Sequence, residues 1–351
     1  SVTGVQTVLF RSQILARNDV SLAGLNHKCG WRGTVNTLLN FGEGKYPVQG
    51  QAGAVGYRVG AVGDGLRCMF HMMNEARIGV GMAATMLGMA GYLASLEYAR
   101  QRPQGRLPGP GGKDPASPMV RIIEHADVRR MLLAQKAYAE GALALELYCA
   151  RLVDDGHTGD ELEQRNAGLL LEILTPIAKS WPSEWCLEAN SLAIQVHGGY
   201  GYTRDFPVEQ YWRDNRLNMI HEGTHGIQSQ DLLGRKVRMN GGAALSALGE
   251  QVMSTAQRAR ATSAWAQPAQ ALEQAWHMVL ESTALTATQS DLGLPLAMPY
   301  MQGFGHVVLA WIWLDVALSS DSSSAQDQGR QAACRFFFAD RKSTRLNSSH
   351  T

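Results

Sequence analysis

From residue 69 onward the apolar positions recur every three or four residues. Ile78, Met82, Met86, Met89, Leu93 and Leu96 mark one face, which predicts a helix ending near Arg102–Pro103. A loop rich in Pro and Gly follows, to Pro118. Val128, Met131, Gln135, Tyr138, Ala142, Leu145, Cys149 and Leu152 trace a second helix, from about Ala126 to Asp154. A third begins near Asp160, with Leu169, Leu170, Leu174 and Ile177 inward. Pro176 and Pro182 predict a kink or break in it, because proline has no N–H to donate and its ring crowds the preceding turn. It resumes through Trp185, Ala189, Leu192 and Val196 and stops at Gly198–Gly199. Ile227 to Val237 reads as a fourth helix. Long amphipathic helices joined by short turns argue a helical bundle. Further amphipathic segments follow at 246–266, 268–288, 297–319 and 325–339. Before residue 69 the pattern is different. Gly33–Phe41 and Ala54–Val62 are alternating or β-branched runs bounded by glycine, which predicts strands. The fold class is therefore mainly α, with a partial β-domain first.

Size and charge narrow the function. The 351 residues suffice for two or three domains. A net charge of +1 points to neither nucleic acid nor an anionic membrane surface. The five cysteines, at 29, 68, 149, 186 and 334, form no CxxC pair, and a reduced, cytoplasmic chain is the simplest expectation. The most apolar run, Val307–Leu314, is too short to span a bilayer and is followed by Asp315. The 14 methionines crowd into helical stretches, as core packing requires. Residues 1–12 and 342–351 resemble translated sequencing-adapter read-through, so both are set aside from the fold and the rest is expected to be an internal fragment.

The chemistry concentrates in residues 195–226. Gln195-Val-His-Gly198-Gly199-Tyr-Gly-Tyr is a glycine turn whose backbone can approach a ligand closely. Tyr211, Trp212, Arg213, Asp214 and Arg216 form a charged and aromatic run, expected to be a structural network. Then come His221-Glu222-Gly223-Thr224-His225. That stretch has the H-E-x-x-H spacing of a zinc-peptidase helix. Such a site needs an unbroken helix that puts both histidines on one face. Gly223 and Gly226 are poor helix formers, so no metal is expected.

Glycine turn and Glu-Gly-Thr segment together resemble the acyl-CoA dehydrogenase family. The resemblance covers about residues 13–340 and is weakest after 240. It implies a remnant of the family's middle β-domain at 13–68 and its C-terminal four-helix catalytic bundle at 69–238. It further implies the extra helical domain of the long bacterial members at 239–341. Those members include enzymes for fatty acyl-CoA and for methylthiopropionyl-CoA. The family's earlier β-strands and N-terminal helices would precede residue 13, and the fragment alone is expected to be inactive.

The activity implied is oxidation of an acyl-CoA to the trans-2-enoyl-CoA, with FAD as cofactor and an electron-transfer flavoprotein as acceptor. By the same resemblance Glu222 is the catalytic base for the α-proton, and its own backbone N–H, aided by a hydroxyl of the flavin ribityl chain, is the donor to the thioester oxygen. Asn74, Arg77 and Gly223 are the implied substrate contacts. Arg102, Gln104, Gln195, Gly198, Gly199 and Thr224 are the implied FAD contacts, several of them reaching across a homodimer or homotetramer. Pro103 and a missing aromatic depart from the family's turn around Arg102, which leaves Arg100 in competition, and Gly226 replaces a common Gln. The competing readings are a non-catalytic helical oligomerisation module and the zinc peptidase.

Overall fold

The computed structural model describes residues 17–112, 114–288, 290–321 and 323–344. The adapter-like residues 1–12 lie outside the described residues; of the second such stretch, 342–344 close the last helix and 345–351 lie outside. The chain divides into a unit ending at Met72 and a unit beginning at Met73.

In the first unit β1 (Val20–Leu25) pairs antiparallel with β2 (Thr37–Phe41), and the register slips by a bulge between Leu22 and Gly24. The buried Asp19 carboxylate accepts the backbone N–H groups of Gly44, Tyr46 and Gly53, at 2.6, 3.0 and 3.1 Å, and so folds the following loop around itself. Ala54–Val62 is not the strand its alternation predicts. At Val55 both backbone groups are taken by the Asn18 side chain, at 2.8 Å each, rather than by a neighbouring strand. Without a ladder the alternation has no buried face to fill, and Tyr57, Val59 and Val62 are exposed.

The second unit is helical. α1 (Gly65–Gln101) begins in the first unit and lies mostly in the second. α2 (Ala126–Thr158) and α3 (Glu161–His197) form the central pair. Short helices α4 (Val208–Asn215) and α5 (His225–Gly234) follow, then α6 (Ala243–Arg260), α7 (Ala266–Thr288), α8 (Ser290–Leu318) and α9 (Ala325–Thr344). A capping box starts α3: Asp160 accepts the N–H groups of Leu162 and Glu163 while Glu163 returns to the Asp160 N–H.

Contrary to expectation, α3 runs through Pro176 and Pro182 without interruption. Every residue from Ile173 to Ser183 is buried. A proline inside a helix costs about 3 kcal/mol. Burying one large apolar side chain returns about 1.5–3 kcal/mol, and Ile173, Leu174, Ile177 and Trp181 are all within this segment. Packing therefore outweighs the lost backbone bonds.

One core runs through α2, α3 and the helices from α5 to α9. It crosses residues 236–242, where a 3-10 segment containing left-handed Asn240 and Gly241 separates α5 from α6. By length and composition alone Glu75–Gln101 of α1 and Gly293–Leu318 of α8 are each long and apolar enough to cross a membrane. The α8 stretch is thus longer than Val307–Leu314, and its apolarity serves the core: Phe304, Val308, Leu309, Trp313 and Leu314 are all inside it.

Candidate active site

α3 ends where its glycines predict. Gly198 takes φ +62°, and residues Gly198–Tyr202 turn into a single 3-10 segment. A Cβ at Gly198 or Gly199 would meet nothing, so both open onto free space. Gly201 is different, because a Cβ there would strike the Ile194 carbonyl, seven residues back in α3. Arg102, just past the end of α1, comes to this turn. Its guanidinium carbon lies 5.5 Å from the centre of the Tyr200 ring, and its Nε is buried with no hydrogen-bond partner among the described residues. Two segments nearly a hundred residues apart in sequence are so brought together. Gln195 is exposed one turn before the glycines. Gln104 is exposed as well; its N–H donates to the Val120 carbonyl at 2.9 Å, and its carbonyl lies 2.7 Å from His125 Nε2.

A second candidate segment is the turn between a 3-10 segment, Arg216–Met219, and α5. Glu222 has φ +53° and Gly223 φ +90°. A left-handed glutamate is uncommon and is kept only where its surroundings hold it. Here both carbonyls of the turn are taken by side chains. Gln228 Nε2 donates to the Glu222 carbonyl at 2.9 Å, and Lys179 Nζ donates to the Gly223 carbonyl at 2.7 Å. The Thr224 hydroxyl caps α5 by accepting the Ile227 N–H at 3.5 Å. The Glu222 side chain is exposed. Lys179 is wholly buried. Burial foremost, and the nearby Arg77 charge, bring its ammonium down to about 8, while attraction to Glu222 works the other way.

Behind the turn sits an asparagine relay. Asn218 donates to Asn215 Oδ1 at 2.9 Å, Asn215 to Asn190 Oδ1 at 2.7 Å, and Asn190 to the Leu87 carbonyl at 2.8 Å. It ties the segment before Glu222 to α3 and α1. Arg213 pairs with Glu209 within α4 at 2.6 Å, and Gln210 donates to Asp214 at 3.4 Å, so much of the charged run is internal structure.

Arg77 is 3% exposed, and its Nη1 pairs with Asp231 of α5 at 2.9 Å. This guanidinium, expected at the substrate, sits in a buried ion pair within the bundle, and its buried Nε has no partner among the described residues. Asn74 lies on α1, but its side chain is outside the described residues. The two histidines do not share a helical face: left-handed Glu222 and Gly223 separate His221 from α5, which begins at His225. His225 is buried, both ring nitrogens lack partners among the described residues, and burial with the Lys179 and Arg216 charges takes it down to about 4.

Lys179, Gln228 and the three asparagines were not singled out in the sequence. The available signal for Lys179 was a lone cation on the inward face of Leu169–Trp185. The relay had no periodic signal at all.

Two family models match the chain: acyl-CoA dehydrogenase, C-terminal domain, over residues 63–237, and acetyl-CoA dehydrogenase C-terminal like over residues 248–341. The 3-methylmercaptopropionyl-CoA dehydrogenase of Ruegeria pomeroyi is 37% identical over 239 residues, which are 68% of this chain and 38% of that protein. A broad-specificity linear acyl-CoA dehydrogenase of Mycobacterium tuberculosis is 32% identical over 345 residues, 92% of this chain and 55% of that one. The chain thus spans about 38 to 55% of these relatives' own lengths. Among solved structures, ACDH-11 of Caenorhabditis elegans in complex with C11-CoA superposes with a TM-score of 0.74 at 20% identity, covering 93% of this chain and 51% of that one. An acyl-CoA dehydrogenase from Bacillus anthracis complexed with FAD gives a TM-score of 0.65 at 18% identity, over 94% and 57% of the two chains. At these identities the structural likeness speaks for the fold alone. Fold and family matches together place this chain, through its C-terminal domains, in the acyl-CoA dehydrogenase family.

Proposed function

We propose that this protein is an FAD-dependent acyl-CoA dehydrogenase that converts an acyl-CoA thioester to the trans-2-enoyl-CoA, with Glu222 as the base for the α-proton. The observation that carries the reading is the Glu222–Gly223 turn: an exposed carboxylate on a left-handed residue, with the Glu222 carbonyl held by Gln228 and the Gly223 carbonyl by Lys179. A carboxylate carried on a held backbone, with its side chain open, is suited to taking a proton from a weak carbon acid. The name of the Mycobacterium tuberculosis relative, a linear acyl-CoA dehydrogenase, supports that substrate class.

The residues fit a flavin. Gly198 and Gly199 leave their backbone open with no side chain above it, and Arg102 brings a guanidinium with a buried Nε, unpartnered among the described residues, to the same turn. An Arg suits a pyrophosphate through charge-assisted, paired donors. Arg102, Gln195, Gly198, Gly199 and Thr224 would hold the cofactor, with Gln104 exposed beside them. FAD, when bound, supplies the acceptor for the hydride from the β-carbon. An electron-transfer flavoprotein is the proposed oxidant, supported by a 26%-identical relative named as a subunit of a caffeyl-CoA reductase–Etf complex.

The test is Glu222→Gln in the flavin-loaded enzyme. Turnover should fall on the order of 10²–10⁴-fold, the usual contribution of a general base, with acyl-CoA affinity almost unchanged. A variant that keeps within about tenfold of the original kcat would assign the base elsewhere.

A further inference from the structure

We infer that Lys179 is a positioning residue for the base: from inside α3 it clamps the Gly223 carbonyl and, with Gln228 on the Glu222 carbonyl, holds Glu222 in its left-handed conformation. The inference rests on the reading of Glu222 as the base.

A left-handed L-residue costs about 1–2 kcal/mol and relaxes to negative φ unless its neighbours prevent it. Relaxation of this turn would swing both peptide carbonyls. Each carbonyl is pinned by a side chain buried to 0% exposure, one from α3 and one from α5, so neither can swing alone. The donor on Gly223 comes from 44 residues away, which fixes the turn to the bundle rather than to its own helix.

The Gly223 carbonyl is the hydrogen-bond partner that the structure gives the Lys179 side chain among the described residues. The bundle's other wholly buried lysine, Lys236, has a carboxylate partner in Glu172. Lys179 has no ion pair among the described residues, and its near cation is Arg77, itself paired with Asp231. Burying an unpaired ammonium opposes folding. The donor is nevertheless kept inside the bundle, where it meets the Gly223 carbonyl.

Lys179→Met keeps the length and apolar stem while removing donor and charge; Lys179→Gln keeps a donor without the charge. In the flavin-loaded enzyme Lys179→Met should lower kcat by about 10–100-fold, the effect of misplacing a catalytic group by about 1 Å, while KM for acyl-CoA stays within about twofold. Lys179→Gln should restore the larger part. The second readout needs no cofactor. In the chain itself, amide hydrogen exchange of residues 221–227 should accelerate by about tenfold or more in Lys179→Met, with the rest of α3 unchanged. Gln228→Leu, which frees the other carbonyl, should accelerate the same amides and decides the matter if Lys179→Met does not fold. Unchanged exchange at 221–227, or acceleration spread evenly along α3, would overturn the inference. Turnover surviving Glu222→Gln would sink the assignment of the base and leave the exchange result to judge the clamp.

Discussion

Glu146 shows how far a single residue can stand from its ordinary state. It lies wholly inside the bundle on α2, and neither carboxyl oxygen has a partner among the described residues. Burial holds its carboxyl well above the usual carboxylate range. A Cβ at Gly81 would strike both Glu146 Oε1 and the Ala178 carbonyl. That carbonyl is the one whose helical donor Pro182 removes, so both oxygens converge on the space that Gly81 leaves open. The protonated acid is thus the form suited to this place. The sign follows: with the folded value raised above the unfolded one, the neutral acid's contribution is full below about 4.5 and is lost as pH climbs through the raised value. Glu146→Gln removes the titration. Its Tm should match the parent near pH 4 and exceed it by a few degrees at pH 8; melting curves of the two that run parallel across this range would reject a neutral Glu146.

At the scale of the element, α2 and α8 meet through an absence. Trp313 Nε1 donates to the Ala137 carbonyl at 3.0 Å, and the indole lies where a Cβ on Gly141 would be. On an isolated helix Gly→Ala stabilises by about 1 kcal/mol. Here the added methyl overlaps a buried indole, and overpacking costs about 1–3 kcal/mol. Gly141→Ala should therefore lower the urea midpoint, and the loss should shrink in a Trp313→Phe background, where the indole N–H is gone. A Gly141→Ala variant more stable than the parent would mean that the two helices are not held at this distance by Trp313. The same logic accounts for α3, where local preference against Pro176 and Pro182 yields to burial on every side.

For the whole second unit the decisive fact is the continuous core. Trp181 of α3 meets His306 of α8 at 5.8 Å and Phe337 of α9 at 6.4 Å between ring centres. Tyr148 of α2 meets Trp311 of α8 at 5.2 Å. The helices after residue 242 thus cover the outer side of the α2–α3 pair rather than forming a core of their own. Removing residues 243–351 would bare Trp181 and the apolar ridge around it. We expect the shortened chain to lose its sharp thermal transition and to bind a hydrophobic dye, as expanded states do. A cooperative melt at the parent's Tm, followed by circular dichroism, would show that the first helices are self-sufficient.

What the sequence determined by itself is what short-range physics controls. The long helices, α1 to α3 and α5 to α9, follow from a 3.6-residue apolar period, while the short α4 lies in a charged run too brief to establish one; the end of α3 follows from Gly198, and the Glu-Gly-Thr turn from the same few residues that resembled the family. Most of the implied site residues could be named for the same reason, since the motif is contiguous. Tertiary structure alone decided the rest. Ala54–Val62 has the pattern of a strand but finds no ladder, because pairing depends on a neighbour in space. Arg77 pairs inside the bundle with Asp231, 154 residues on, a partner that no spacing along the chain announces. Lys179 and the asparagine relay reach Gly223, Leu87 and Ala84 across 44, 103 and 131 residues. No period along the chain encodes such contacts: they exist because packing the helices brings those atoms within hydrogen-bond distance, and burial then requires each polar group to find a partner.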